Sequence, residues 1–434
     1  MHAQSSAPWR HGRRFRLSAA IGALLALVAV TACQGGGGPA DDAVKIGILA
    51  PETGVFAAYG PKVIRDPINL WLSSNGNKID GRPVEVVKAD TKSTPQGALR
   101  AARQLVERDD VDVAIGLVNS AAALAVRNYL DQNKVVTLVT VAGAEELTQE
   151  QKSKYIFRVG FANSQFHGSG AVIAQKAGVK SIAAIADDYV APRQLLDPFL
   201  RDAKELGITV KKAVYAPFPT TDYGPYLSQL RSVSGDVQAI APMMFGADGV
   251  AFFTQYKQAG FDIPLYTFGD VTEQTIFLDQ VKENAIGSET YWSYSPWLDT
   301  KANNSFREAY VKKYKRLPGA FSMQSYAAMQ FLHAGVAKAG EEFGESDSLV
   351  SALEGVTVDS PGGKLTFDEG HGVNWNVYLN KVVKGPDGRV TQIPTGPWIE
   401  SQPQRSSIKQ ALDNYHSSGA PVTEAAKQAV AKAK

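Results

Sequence analysis

The stretch Val44-Lys45-Ile46-Gly47-Ile48-Leu49-Ala50-Pro51-Glu52-Thr53-Gly54-Val55-Phe56-Ala57-Ala58-Tyr59-Gly60 decides the fold. Val44 to Leu49 is a short apolar run rich in β-branched residues, the mark of a buried strand. The run breaks at Pro51, turns through Thr53-Gly54, carries the aromatics Phe56 and Tyr59, and enters a helical pattern after Gly60. In an open α/β sheet, loops at the carboxyl ends of strands are where small ligands bind. A first strand that ends in small and aromatic residues therefore suggests a site in that loop. The plainer alternative is a connecting loop with two packed aromatics.

Outward from this stretch, strand-like and helix-like segments alternate. Val84 to Lys88 reads as a strand. Thr94 to Glu107 has helical spacing, with Ala98, Ala101, Leu105 and Val106 on one face and Thr94-Pro95 as its start. Val111 to Leu117 and Val135 to Val141 read as strands on either side of a helix at Ala121 to Gln132. The same alternation continues through Ser181 to Ile185, Arg193 to Leu206, Val210 to Tyr215, Tyr223 to Val233, Ala239 to Met244, Gly249 to Ala259 and Leu265 to Phe268. Repeated strand–helix–strand units imply parallel sheets covered by helices. So many strands make one sheet implausibly wide, so the pattern points to two lobes. Glu289 to Trp297 is strand-like and aromatic, and helices follow at Asn303 to Lys315, Ala320 to Ala339 and Asp347 to Leu353. Beyond Pro361-Gly362-Gly363 come short strands at Lys364 to Phe367, Asn376 to Val383 and Arg389 to Ile393. The segment from Ser401 is polar and reads as weak helix or disorder.

The N-terminus is a targeting segment. Arg10, Arg13, Arg14 and Arg16 precede an apolar run from Leu17 to Val30, which closes on the small residues before Cys33. This is the order of a secretory signal, and the run is too short for a stable membrane-spanning helix. Cys33 is the chain's 1 cysteine, so no intramolecular disulfide or cysteine zinc site forms. The Gly-rich stretch after it reads as a flexible tether. Residues 1–32 carry four arginines and no acid, so the remaining 402 residues hold 41 basic and 43 acidic side chains. That balance gives no electrostatic footprint for nucleic acid.

Catalytic motifs are missing. No GxGxxG follows the first strand, no GxxxxGK precedes Ser or Thr, and His167-Gly168-Ser169-Gly170 has the wrong spacing for a nucleophile elbow. The six histidines show no helical metal-ligand pair, and His371 reads as a turn residue. The sequence therefore points to no cofactor and no metal; missing motifs do not exclude an enzyme, but nothing argues for one.

Taken together, GILAPETGVFAAYG, IGLVNSAAALA, VVTLVTVAGAEELT, FRVGFANSQ, ADDYVAP, DYGPYLSQL, MFGADGVAFF and SMQSYAAMQF, in this order and spacing, resemble the solute-binding proteins of ABC importers, the Leu/Ile/Val-binding type. The similarity covers residues 44–395, and the start of the chain resembles a lipoprotein signal with Cys33 as the lipidated residue. The resemblance implies the type I periplasmic binding protein fold: two Rossmann-like α/β lobes with parallel central sheets, joined by three hinge crossovers. It implies a signal peptide at 1–32, a lipidated tether at 33–42, lobe one at 43–161 plus 290–357, lobe two at 162–289 plus 364–398, and a polar tail at 399–434. Crossovers fall near Gly160-Phe161, Ser288-Glu289 and Val358 to Gly363.

The implied site follows residue by residue. Tyr59 is a cleft aromatic, and Ser120 is the hydroxyl for a ligand carboxylate at a helix start, where free N–H groups favour an anion. Asn119 beside it offers an amide, with N-capping as the plainer role. Val141 to Gly143 is a backbone-binding stretch, where Gly143 replaces the family's usual Ser or Thr and loses a hydroxyl. Tyr189 stands in a loop whose usual second aromatic is here Ala191. Phe245 takes the place of a ligand-facing Tyr, and Asp270 lies within one residue of the acid that pairs a ligand ammonium. Trp292 and Trp297 are candidates for an aromatic wall. The implied function is an exported, lipid-anchored monomer facing the periplasm or cell exterior. It binds an amino acid, amide or small carboxylate by hinge closure and delivers it to an ABC permease. A sensor of the same fold and an extracellular α/β enzyme are the alternatives.

Overall fold

The computed structural model describes residues 43–149 and 152–433, apart from the side chains of 270 and 271. The signal segment and Cys33 lie outside the described residues. The first strand, β1 (Val44–Ala50), has Val44, Ile46, Ile48 and Leu49 all buried, as expected for a strand covered on both faces. With β2 (Lys78–Ile79), β3 (Arg82–Asp90), β4 (Val113–Gly116), β5 (Val136–Val139) and β6 (Ile156–Arg158) it forms a sheet of order β2-β3-β1-β4-β5-β6. All pairings are parallel except β2 with β3. Ile46 pairs with Val86 on one side and Val113 on the other. The chain therefore leaves β1 and β4 in opposite directions, and their carboxyl ends form the first lobe's switch point.

The second lobe repeats the device. β7 (Ser181–Asp188) lies between β8 (Thr209–Pro217) and β9 (Ala239–Met243), all parallel. A bridge from Ile240 to Leu265 leads on to β10 (Tyr266–Phe268) and its parallel neighbour β11 (Glu289–Trp292). A hairpin of β12 (Thr357–Ser360) and β13 (Gly363–Thr366) precedes β14 (Trp375–Lys384) and β15 (Val390–Gln402), which pair antiparallel. The strand from Glu289, expected to return to lobe one, is hydrogen-bonded inside the second sheet between β10 and β14. It ends at Trp292 rather than Trp297, and beyond it Ser295 donates its hydroxyl to the Gln392 carbonyl at 2.8 Å. The helix Ala320–Ala339 forms over the expected span and packs on the helix Asp66–Ser74 of the first lobe.

The segment after Ser401 is folded, contrary to the expected weak helix or disorder. β16 (Tyr415–His416) pairs with β15, and the helix Ile408–Asp413 carries a full capping box at Ser407 and Gln410. Buried contacts hold this segment. Arg158 is fully buried and donates to the Ala144 carbonyl at 2.6 Å, to Thr148 and to Gln404, while Gln404 reaches Asp368 at 3.0 Å. Ala426 closes a small core with Trp297, Leu317, Val383 and Ile393. A polar sequence hid these anchors because each is one residue deep.

Candidate functional site

The two switch points face each other across a narrow cleft. From the first lobe it is lined by Phe56 and Tyr59 after β1, by Val118, Asn119 and Ser120 after β4, and by Val141 and Gly143 after β5. Phe161 and Asn163 enter from the connection after β6, and Tyr189, Ala191 and Phe245 from the second lobe. Seven of the eight residues singled out from the sequence thus meet at one cavity. The eighth, Asp270, occupies the turn Gly269–Thr272 at the end of β10, and its side chain lies outside the described residues.

Ser120 opens the helix Ser120–Gln132 and is buried. Asn119 caps that helix, its side-chain oxygen accepting from the Ala122 amide at 3.0 Å. Its Oδ1 is committed to the cap, which leaves the Nδ2 group for the cavity. The amides of Ser120 and Ala121 have no carbonyl within their helix to donate to, so this helix end suits an anion. No carboxylate is among the described lining residues.

Aromatic rings form the rest of the wall. Phe56 meets Tyr59 edge-on at 5.7 Å, and Tyr59 leans on Phe321 at 5.9 Å. Tyr189 lies 4.2 Å from Phe218, a residue of the segment after β8, and 6.4 Å from Phe245. Phe218 also stacks on Phe56 at 6.4 Å, so a ring contact crosses between the lobes. Where Ala191 lacks a ring, Phe218 backs the wall instead. Trp292 sits behind the wall, buried among Phe161, Phe166, Phe268 and Phe321. Trp297 donates to Thr391 at 3.0 Å, away from the lining residues. Neither tryptophan forms the expected aromatic wall.

At Gly143 the geometry explains the missing hydroxyl. A Cβ there would fall 2.2 Å from the Asn163 side-chain oxygen. Gly143 also gives up its carbonyl, which accepts the Asn163 amide at 2.7 Å. Asn163, Phe161 and Val118 escaped the sequence reading as wall residues. The run Phe161-Ala162-Asn163 followed a strand and held the one polar signal available.

Asp187, the last residue but one of β7, is fully buried and accepts from the Tyr223 hydroxyl at 2.9 Å. Burial pushes its carboxyl up to about 7, with the nearby Asp248 adding to the effect. Glu273 is raised to about 7 by burial too, although its Oε2 accepts from the amides of Thr275 and Ile276. His371 lies in the expected turn at φ 62°, its ring stacked 4.0 Å from Phe157 and its pKa lowered by burial.

The family model described as periplasmic binding protein matches residues 43–387 of this sequence. The chain belongs to the periplasmic binding protein family. Among similar relatives of this periplasmic binding protein is the "Leu/Ile/Val-binding protein homolog 6" of Brucella melitensis, 28% identical over 80% of this chain and 89% of the relative. A solute-binding protein of an ABC transporter from R. palustris, solved in complex with benzoate, is 26% identical with a TM-score of 0.76, covering 81% of this chain and 96% of the other. A second from R. palustris, solved with 4-hydroxybenzoate, is 25% identical with a TM-score of 0.78, covering 85% of this chain and 100% of the other. The periplasmic binding proteins are a solute-binding, non-catalytic class working with ABC transporters outside the cytoplasm. Among the described residues no helix is long and apolar enough to cross a membrane.

Proposed function

We propose that this protein is the binding component of an ABC importer, tethered by a lipid on Cys33, and that it takes a small aromatic carboxylate between its lobes. The observation that carries the reading is the composition of the cleft. Five aromatic rings, Phe56, Tyr59, Phe161, Tyr189 and Phe245, surround a helix N-terminus at Ser120, with no carboxylate among the described lining residues. Ring-lined walls favour a flat apolar body, and the open amides with the Ser120 hydroxyl favour its carboxylate. The two solved relatives that hold benzoate and 4-hydroxybenzoate support the same class. In this reading the lobes exchange chain at 160–161, after Trp292 and near 358–363. Closure is the ligand's differential affinity for the closed form, and the monomer hands its cargo to a permease.

A second reading, an aliphatic α-amino acid, draws on the Leu/Ile/Val-binding name of the Brucella relative and on Asp270. Thermal unfolding with benzoate, 4-hydroxybenzoate, leucine and valine separates the two. A bound ligand at 100 times its Kd stabilises the fold by about 2.7 kcal/mol. The aromatic acids are expected to raise the midpoint; a shift with leucine or valine alone overturns the reading. Co-purification with a permease, rather than a sensor kinase, tests the transport role.

A further inference from the structure

We propose that Asn163 presents a fixed hydrogen-bond acceptor to the cleft, so that among aromatic acids this protein selects those carrying a ring hydroxyl. The inference rests on the aromatic-carboxylate reading above and adds what the ligand's ring must supply.

Glu146 lies in the turn Glu145–Leu147 beyond β5 of the first lobe. An ionised carboxylate only accepts hydrogen bonds. The Gln194 amide nitrogen lies 3.3 and 3.4 Å from the two Glu146 oxygens, so Gln194 must turn its N–H group that way. Its Oε1 then faces Asn163 and accepts from Asn163 Nδ2 at 2.7 Å. Flipping either amide sets oxygen against oxygen, so the carboxylate at one end fixes the polarity of the whole chain. What remains of Asn163 is its Oδ1.

That oxygen lies on the cavity side. It occupies the space a side chain at 143 would take, 2.2 Å from where a Gly143 Cβ would stand, and both residues line the cleft. Asn163 is 1% exposed, and its Oδ1 accepts no hydrogen bond from any described residue. An acceptor facing the cleft loses its access to water when a ligand closes over it, and a ligand lacking a donor leaves it unpaired. A phenolic hydroxyl supplies the donor without bringing a charge. An ammonium would face a neutral carbonyl here, since Glu146 lies behind Gln194 and outside the lining. The relay also crosses the cleft: Glu146 belongs to the first lobe and Gln194 to the helix Val190–Glu205 of the second. Closure therefore assembles the acceptor.

The test is calorimetric titration of the purified protein with benzoate, 3-hydroxybenzoate, 4-hydroxybenzoate and leucine. At least one hydroxybenzoate is expected to bind about tenfold or more tighter than benzoate, the scale of one buried hydrogen bond. Asn163→Leu is expected to bring that ratio near one. Glu146→Gln, which frees both amides to flip, is expected to shrink the ratio of the two affinities whatever it does to each alone; this half-buried site keeps the test available if Asn163→Leu does not fold. Equal affinities for benzoate and both hydroxybenzoates in the wild type overturn the proposal and leave the aromatic-acid reading standing. A preference that survives both variants also overturns it. Binding of leucine with no aromatic acid bound overturns both.

Discussion

Replacing Asp187 by Asn is expected to stabilise the protein increasingly as pH rises. The carboxyl is fully buried and is pushed up by burial from 3.8 to about 7, the Tyr223 hydroxyl and the Phe245 amide offsetting only part of that cost. A carboxyl raised on folding binds its proton better in the folded than in the unfolded chain. Its contribution is therefore intact below about pH 4 and lost progressively as pH climbs to about 7. Each pH unit inside that window removes about 1.36 kcal/mol. Between pH 5 and pH 8 the wild type thus loses roughly 2.7 kcal/mol at this group, since the loss stops near pH 7. Asn cannot ionise, yet its oxygen still accepts from the Tyr223 hydroxyl. At about 2.1 cal/mol/K per residue, the folded unit Asp42–Lys434 has an unfolding entropy near 0.8 kcal/mol/K. The gap between variant and wild-type midpoints is then expected to widen by about 3 °C from pH 5 to pH 8. Differential scanning calorimetry at both pH values measures it. Parallel curves, with a gap independent of pH, would refute the claim that Asp187 enters the fold neutral.

Glu273→Gln is expected to show the same sign over the same window, because burial also holds this carboxyl near 7; a pH-independent difference in midpoint tells against it. Gly143→Ser is expected to weaken ligand binding at least about tenfold, since its Cβ displaces the Asn163 oxygen that lies 2.2 Å away. Calorimetric titration reads that loss, and unchanged affinity would mean Asn163 moves freely. Ending the chain after Gln402 removes Gln404 from the buried Arg158 and Ala426 from the Trp297 core. Removing a hydrogen-bond partner from a buried charge costs about 1.5–3 kcal/mol, so the thermal midpoint is expected to fall by a few degrees; an unchanged midpoint would show that the segment is dispensable.

Much of the fold was legible because its signals are local. β1 alternates little and is buried on both faces, so an unbroken apolar run at Val44 to Leu49 was enough to find it. The helix Ala320–Ala339 runs over the expected residues, and the helices at Ser120 and Ser346 start within one residue of expectation. What failed was long-range. The strand β6, only three residues long, is defined by its pairing with β5 and by the Arg158 amide donating to the His371 carbonyl at 2.7 Å. β15 runs on to Gln402 through Pro394, Gly396 and Pro397, residues that argue against a strand until β14 is there to pair with it. The folded C-terminal segment depends on Gln404 meeting Arg158, two residues 246 positions apart.

The cleft divides along the same line. Tyr59, Ser120 and Phe245 stand at the carboxyl ends of strands, and a strand end is visible in a sequence. Gly143 was visible only as a loss. Its meaning lies in Asn163, which fills the same space from twenty residues further on, and in Gln194 and Glu146, which orient it. A hydroxyl at position 143 would hang from the first lobe whether the cleft is open or shut. The Asn163 oxygen is set by a relay that needs both lobes in place, so the group facing the ligand and the closure of the protein become one equilibrium. A ligand that satisfies Oδ1 then gains affinity and favours the closed form through the same bond. Affinity and the closed population are therefore expected to change together in variants of Glu146 and Gln194, although neither residue lines the cavity.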